Sequence, residues 1–337
     1  MVRLVMKNHS QKFGALIYQD TNGEYNVGDY IQSLAALGFK PKNYDVVYIN
    51  RENAASYKDD KIKLIMNGWF THTKTNDWIP SENIDPLFVS FHLNSSAITT
   101  VLSKEGKAYL KKHEPIGCRD YFTVETLEKH GIKAYFTGCL TLTLDRYKKN
   151  NIERNGIYIV DPFYNYPSID FLRKIPKATF HYIRTGKIFE INKKNLHLNK
   201  IFTKSLLSNA KYISQSTNGK NVSEEQRFQC AEELLNTYST AKLVITSRIH
   251  CALPCLAMGT PVIYINGFDN MIDSCRMNGI LDLFNRIDVN SETGEFKANF
   301  EFNGAKIDEN IKITNKSDYL ILANNLKEIC KDFIDKS

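Results

Sequence analysis

Ser247-Arg248-Ile249-His250 sets a guanidinium and an imidazole two residues apart, directly after the apolar run Leu243-Val244-Ile245 and ahead of a mostly apolar segment that reads as a helix. A short β-rich apolar run marks a buried parallel strand. Ser247, Arg248 and His250 therefore lie where a strand hands over to a helix, the edge at which open α/β sheets bind ligands. Backbone N–H groups and the positive helix end favour an anion there. An arginine and a histidine in that place point to an anionic substrate and a proton transfer. The alternative is structural, with Arg248 in an ion pair and His250 capping the helix.

The elements around this junction repeat one pattern. Lys12 to Tyr18 reads as an opening strand, followed by a glycine-containing loop through Asn26-Val27-Gly28-Asp29. From Asp29 onward Ile31, Leu34, Ala35 and Leu37 fit a helical stripe. Asp29 then sits at the helix start, where a carboxylate can cap N–H groups, and Gly28 lets backbone approach a ligand closely. The loop matches neither GxGxxG nor GxxxxGK[ST], so it carries no nucleotide fingerprint. Strands follow at Asp45 to Ile49, at Lys63 to Met66 (ending in Asn67-Gly68-Trp69-Phe70), at Leu87 to His92, and at Pro115 to Asp120. A helix from Phe122 to His130 closes on Gly131. Strand ends rich in Asn, Gly, His, Arg and Asp are expected where the carboxyl edge of a parallel sheet faces a cleft. That argument makes Asn67, Trp69, His72, His92, Arg119 and Arg276 site candidates, with Asp120 expected to support Arg119 in an ion pair. A satisfied core histidine is the competing reading of His92.

The pattern breaks at Asp145 to Asn151, a polar linker, and resumes at Gly156 to Val160. Residues 162–204 are irregular. A strand at Ala210 to Gln215, a helix over Glu224 to Tyr238 and a strand at Pro261 to Ile265 complete the alternation. Asn270 to Phe284 reads as helix and loop, and 287–313 as variable surface. Ser317 to Ile334 forms a last helix with Leu320, Leu322, Leu326, Ile329 and Phe333 on its apolar side. The fold expected is α/β, with two Rossmann-like parallel-sheet domains facing a cleft. They span 1–150 and 151–316, and the helix in 317–337 packs back on the first.

Composition fits this. At 337 residues, 42% hydrophobic and 24% charged, the chain suits two ordinary globular domains. A net charge of +7, from 44 basic and 37 acidic side chains, agrees with an anionic small substrate or an anionic membrane surface. Scattered pairs such as Lys111-Lys112, Lys148-Lys149 and Lys193-Lys194 form a solvated face rather than a basic helix, which argues against nucleic acid as partner. Seven cysteines without a CxxC read as buried thiols of a reducing compartment. No Asp/His cluster has metal-ligand spacing. The first residues lack a signal-peptide core, and no run approaches the ~20 apolar residues of a membrane span. A cytoplasmic location is expected, with any membrane contact peripheral, at the inner membrane face.

Across Val244 to Pro254, on Ser247-Arg248-Ile249-His250, the chain resembles the polysaccharide pyruvyl transferase family. Asn26-Val27-Gly28-Asp29 is similar to the family's Asn-x-Gly-Asp loop. Gly117-Cys118-Arg119-Asp120 with Thr137-Gly138-Cys139-Leu140-Thr141 is similar to the middle of many members. The similarity spans about residues 16 to 284. It implies a GT-B-like architecture with the acceptor on the first domain and the donor on the second. It also implies transfer of a pyruvate ketal from phosphoenolpyruvate, a co-substrate, to a sugar of a cell-surface polysaccharide such as capsule or exopolysaccharide, or to a lipid-linked precursor, with no cofactor and no metal. Arg248 and His250 fall on the family's donor-binding and catalytic residues, and Ile249 stands where Leu is usual. Arg119 is the second donor arginine, and Ser247 and Ile249 complete that side. Asn26, Asp29, Asn67 and Trp69 are the acceptor candidates, Trp69 by stacking on a sugar, although filling core is its plainer role. His250 is the expected general acid, and Asp29 or His92 takes the hydroxyl proton. The alternatives are a glycosyltransferase with a nucleotide-sugar donor in the same cleft, and a non-catalytic carbohydrate-binding protein.

Overall fold

The computed structural model describes residues 11–18, 24–164, 166, 183–184, 192–267 and 275–336. Two six-stranded sheets organise them. The first contains, in chain order, Lys12–Ile17, Asp45–Asn50, Ile62–Phe70, Ile84–Leu93, Ile116–Cys118 and Ala134–Phe136, all parallel. The second contains Asn155–Val160, Lys211–Ile213, Ala241–Thr246, Val262–Asn266 and Asn285–Val289 in parallel, closed by Phe296–Ala298 antiparallel to Asn285–Val289. Numbered along the chain within each sheet, both have the spatial order 2-1-3-4-5-6. The order reverses beside the first strand of each, and such a reversal opens a crevice at the carboxyl ends.

Segments such as Leu243-Val244-Ile245 and Ile263-Tyr264-Ile265 are buried because helices cover both faces of a parallel sheet. Residues 287–313, expected as variable surface, instead supply the last two strands. Their apolar residues alternate with charges, as Arg286-Ile287-Asp288-Val289 shows, and the alternation hides a strand that is buried on one side only. The strand expected to stop at Met66 runs to Phe70, through a register shift between Met66 and Gly68. The first helix begins at Val27 rather than Asp29, because Asn26 is its cap: its Oδ1 accepts from Gly28 N at 3.0 Å. Part of the segment expected from Asn270 onward lies outside the described residues.

One apolar core is common to both halves. It joins Val27, Tyr30, Ile31 and Leu34 of the helix Val27–Leu37 to Phe228 and Leu235 of the helix Glu224–Thr240 and to Ile249, Leu253 and Leu256. Tyr30 meets the Phe228 ring edge-on at 5.1 Å. A two-stranded antiparallel ribbon, Glu24–Asn26 against Ser216–Asn218, stitches the halves further, and Val27 N donates to Gln215 O at 2.7 Å. The helix Tyr319–Asp335 lies against the first half, where Lys63 Nζ donates to Phe333 O at 2.5 Å. Its buried stripe is Ala323, Leu326 and Cys330, whereas Leu320 is 47% exposed. The cysteines are free, and six of the seven are buried. Among the described residues no helix is long and apolar enough to cross a membrane.

Candidate active site

The carboxyl ends of both sheets converge on a cavity of about 310 Å³. Arg51 follows the strand Asp45–Asn50, Trp69 is the last residue but one of Ile62–Phe70 with His72 just beyond, and Arg119 follows Ile116–Cys118. Across the crevice, Tyr164 follows Asn155–Val160, Gln215 follows Lys211–Ile213, and Arg248 and His250 follow Ala241–Thr246. Asp29 comes from the first turn of Val27–Leu37 and Arg276 from the 3-10 turn Cys275–Met277. A larger hollow of about 420 Å³ beside Asn266 and Asp288 is lined, among the described residues, by Lys297 as its one cation and by no arginine or histidine.

Four arginines line the smaller cavity, and each is held differently. Arg248 Nε donates to Asp161 Oδ2 at 3.0 Å, and its guanidinium lies 3.9 Å from the centre of the Tyr164 ring. Its two terminal nitrogens have no protein partner among the described residues. Arg119 is only 1% exposed, and its Nε and Nη2 are buried with no hydrogen-bond partner among the described residues; Asp120 Oδ2 stands 3.9 Å from Nε. Arg51 pairs with Asp29 at 3.1 Å and lies over Tyr18 at 4.3 Å. Arg276 donates to the Tyr164 hydroxyl, and burial, followed by the charge of Arg119, pulls its pKa down to about 9. A buried guanidinium without a partner is strongly unfavourable in a dry site. An anion with several oxygens would satisfy these donors, and arginine forks suit carboxylate and phosphate bidentately. The helix Ile249–Ala257 has no side-chain cap at its N-terminus, which adds a further anion-binding feature.

His250 faces this charge. Its Nε2 is buried without a partner among the described residues, although the residue keeps some exposure. Burial first, then Arg119, Arg51 and Arg248, hold its pKa well below the usual imidazole value. Gly28 makes the close packing of the two halves possible here: a Cβ at Gly28 would stand 3.2 Å from His250 Cβ and 3.3 Å from its Nδ1. Behind the cavity, His92 Nδ1 lies 2.6 Å from Asp120 Oδ2. Burial lowers the His92 pKa to about 4, so near pH 7 a neutral ring donates from Nδ1 to the Asp120 carboxylate. Glu52 accepts from the Thr71 hydroxyl and from the N–H groups of His72 and Thr73, which fixes the turn that carries His72.

The polysaccharide pyruvyl transferase family model matches residues 26–270, most of the chain. The chain belongs to the polysaccharide pyruvyl transferase family. Membership makes it a transferase of polysaccharide biosynthesis, working on glycan acceptors. The matched region opens at the Asn26 cap and includes Arg119, Arg248 and His250. No curated protein matches the sequence. Among solved structures, the chain is similar to a protein of uncharacterised function from Klebsiella pneumoniae subsp. pneumoniae, at 11% identity and a TM-score of 0.41, covering 80% of this chain and 89% of that one.

Of the residues singled out by sequence, Arg248, Ile249, His250, Arg119, Asp29, Asn26, Trp69, His72 and Arg276 line the cavity of this pyruvyl transferase family member. Three do not. Ser247 Oγ donates to Ile265 O at 2.8 Å and accepts from Phe163 N at 3.0 Å, so it braces the backbone instead of meeting a donor. Asn67 donates to Gln32 O from a buried position. His92 is fully buried behind the wall. Asp120 supports His92 more closely than Arg119, and it caps the helix Tyr121–Lys129 through Thr123 N at 2.9 Å. His250 is inside its helix and does not cap it. Trp69 already stacks on His72 at 5.0 Å and lies 5.6 Å from Arg276, so it braces the wall rather than offering a bare face to a sugar. Sequence reasoning missed Arg51, Gln32, Tyr164 and Gln215. Arg51 was within reach, since it follows a strand whose end obeys the same edge rule.

Proposed function

We propose that the cavity binds phosphoenolpyruvate and transfers its pyruvyl group to two hydroxyls of one sugar as a ketal. The observation that carries this reading is that Arg51, Arg119, Arg248 and Arg276 line one cavity with His250, whose buried Nε2 has no partner among the described residues. Phosphoenolpyruvate has a carboxylate and a phosphate, and Arg248 with Arg119 supplies two forks to hold them. His250, protonated once the donor anion is bound, gives its proton to the vinyl CH2 carbon. The first sugar hydroxyl then bonds to the neighbouring carbon and passes its proton to Asp29, which lines the cavity where His92 does not. The C–O bond to phosphate breaks, and the arginines stabilise the leaving oxygens. The second hydroxyl bonds to the same carbon and completes the ketal. Of the two hydroxyl protons, one replaces the proton that His250 gave to the methyl group and the other leaves on phosphate. In this reading the donor is a co-substrate and no cofactor takes part.

The test is calorimetric binding and phosphate release with phosphoenolpyruvate, compared with UDP- and GDP-sugars. Binding of phosphoenolpyruvate, with phosphate release on addition of a glycan or lipid-linked saccharide acceptor, supports the reading. Binding of a nucleotide sugar alone would replace it with glycosyl transfer.

A further inference from the structure

The sequence Asp161-Pro162-Phe163-Tyr164 follows the first strand of the second sheet, next to the point where that sheet reverses its order. Two of its residues hold left-handed backbone without being glycine, Asp161 at φ 41 and Phe163 at φ 50. Non-glycine residues rarely adopt such angles, and they persist where surroundings over-determine them. The surroundings here are specific. Asp161 N donates to Ile213 O at 3.2 Å, and Phe163 N donates to Ser247 Oγ at 3.0 Å. The turn is therefore pinned by the residue immediately before Arg248.

What the turn presents matters more than how it is held. Asp161 Oδ2 accepts from Arg248 Nε at 3.0 Å and from Gln215 N at 2.9 Å. Gln215 in turn donates from Nε2 to His250 O at 3.3 Å, and its own carbonyl accepts Val27 N. Tyr164 lies against Arg248 at 3.9 Å and takes a hydrogen bond from Arg276. Among the described residues, Lys194 is a further cation that feels the charge of Asp161. An arginine engaged at Nε on one side and stacked on a ring has its fork set in one orientation, its terminal nitrogens left for a ligand.

We infer that the Asp161 to Tyr164 turn is the positioning element of the anion site, with Asp161 and Tyr164 fixing the Arg248 fork and Tyr164 fixing Arg276. It rests on reading the cavity as an anion site. Neither residue is required to touch the reacting atoms. Asp161 acts through Arg248 and through the Gln215 link to the His250 backbone. Tyr164 acts as a face for one guanidinium and an acceptor for another.

The test uses the full chain and two probes, inorganic phosphate and phosphoenolpyruvate, titrated by calorimetry. Asp161→Asn keeps an acceptor and tolerates left-handed backbone, whereas Asp161→Ala loses both. Tyr164→Phe keeps the ring and Tyr164→Leu removes it. Freeing the arginine is expected to weaken both probes about thirty-fold in Asp161→Ala, the factor equivalent to the rotamer entropy of an untethered arginine. The ring loss in Tyr164→Leu is expected to weaken them about ten-fold. Asp161→Asn and Tyr164→Phe retain most of the affinity. Because Arg248 depresses the His250 pKa, NMR titration of His250 is expected to move to higher pH in Asp161→Ala if Arg248 swings away. Unchanged binding in Asp161→Ala and Tyr164→Leu overturns the inference. So does weaker binding with an unmoved His250 titration and a proportionate loss of thermal stability, since that is a purely structural role. If the unmodified protein binds phosphate but not phosphoenolpyruvate, the proposed donor fails, while the positioning role is still decided on phosphate.

Discussion

Burial and the charges of Arg119, Arg51 and Arg248 favour the neutral His250 imidazole near pH 7. A general acid must carry a proton before it can give one. The proposed donor resolves this conflict, because it brings a carboxylate and a dianionic phosphate into the same space. One unit charge about 4 Å from the ring, at an effective dielectric constant of about 20, contributes about 4 kcal/mol. That is roughly three pH units of proton affinity. It offsets an arginine at similar range, and several such charges reverse the direction of the shift. The expected outcome is uptake of about one proton per phosphoenolpyruvate bound at pH 8, where free phosphate monoesters are already dianionic. The assay is calorimetric titration in three buffers of different ionisation enthalpy, in which the slope of apparent enthalpy gives the proton count. His250→Gln is expected to bind the donor with no uptake. A protein that binds phosphoenolpyruvate at pH 8 without taking up a proton, or a His250→Gln variant with undiminished uptake, would refute the assignment of His250 as the acid.

Three further outcomes follow from the same geometry. Gly28→Ala places a methyl group within 3.3 Å of Asn26 Oδ1 and two His250 atoms; a shift of a few tenths of an ångström in the acid is expected to lower kcat about ten-fold, with thermal unfolding almost unchanged. Arg119→Met removes a buried guanidinium with two unpartnered nitrogens, so the variant is expected to unfold no earlier than the parent. Its phosphoenolpyruvate affinity falls about a hundred-fold, as expected for two charge-assisted hydrogen bonds of about 1.5 kcal/mol each. His92 has its pKa lowered from 6.5 to about 4 in the folded state. The unfolded chain therefore takes the proton first as pH falls, and stability present above pH 6.5 is lost on the way down to about 4. At about 1.4 kcal/mol per unit this is roughly 3 kcal/mol. Urea unfolding at pH 7 and pH 5 measures the slope, and His92→Gln is expected to flatten it.

Much of the architecture was legible because parallel strands buried on both faces leave uninterrupted apolar runs. Val244-Ile245 and Ile263-Tyr264-Ile265 are such runs, and Gly131 at φ 72 marks a helix end by the same local logic. The last two strands escaped because a strand buried on one side alternates with charge and imitates a surface loop. The start of the first helix escaped because Asn26 and Asp29 are both good caps, and only the Asn26 to Gly28 hydrogen bond distinguishes them.

By itself the sequence determined that chemistry sits at strand ends, and it gave the residue types there: Arg248 and His250 after one strand, Arg119 after another, Asp29 beside Gly28. Those are local properties, fixed by the strand-to-helix handover and by the free N–H groups of a helix start. Only the tertiary structure decided which strand ends face one another. It brought Arg51, Tyr164, Gln215 and Arg276 into the same cavity and moved Ser247, Asn67 and His92 out of its wall. The reason is that partnership depends on distance in space. Ser247 and Arg248 are adjacent in the chain, yet one turns back to Ile265 O and Phe163 N while the other opens to the cavity. No spacing rule states that Asp161, 87 residues from Arg248, holds its Nε.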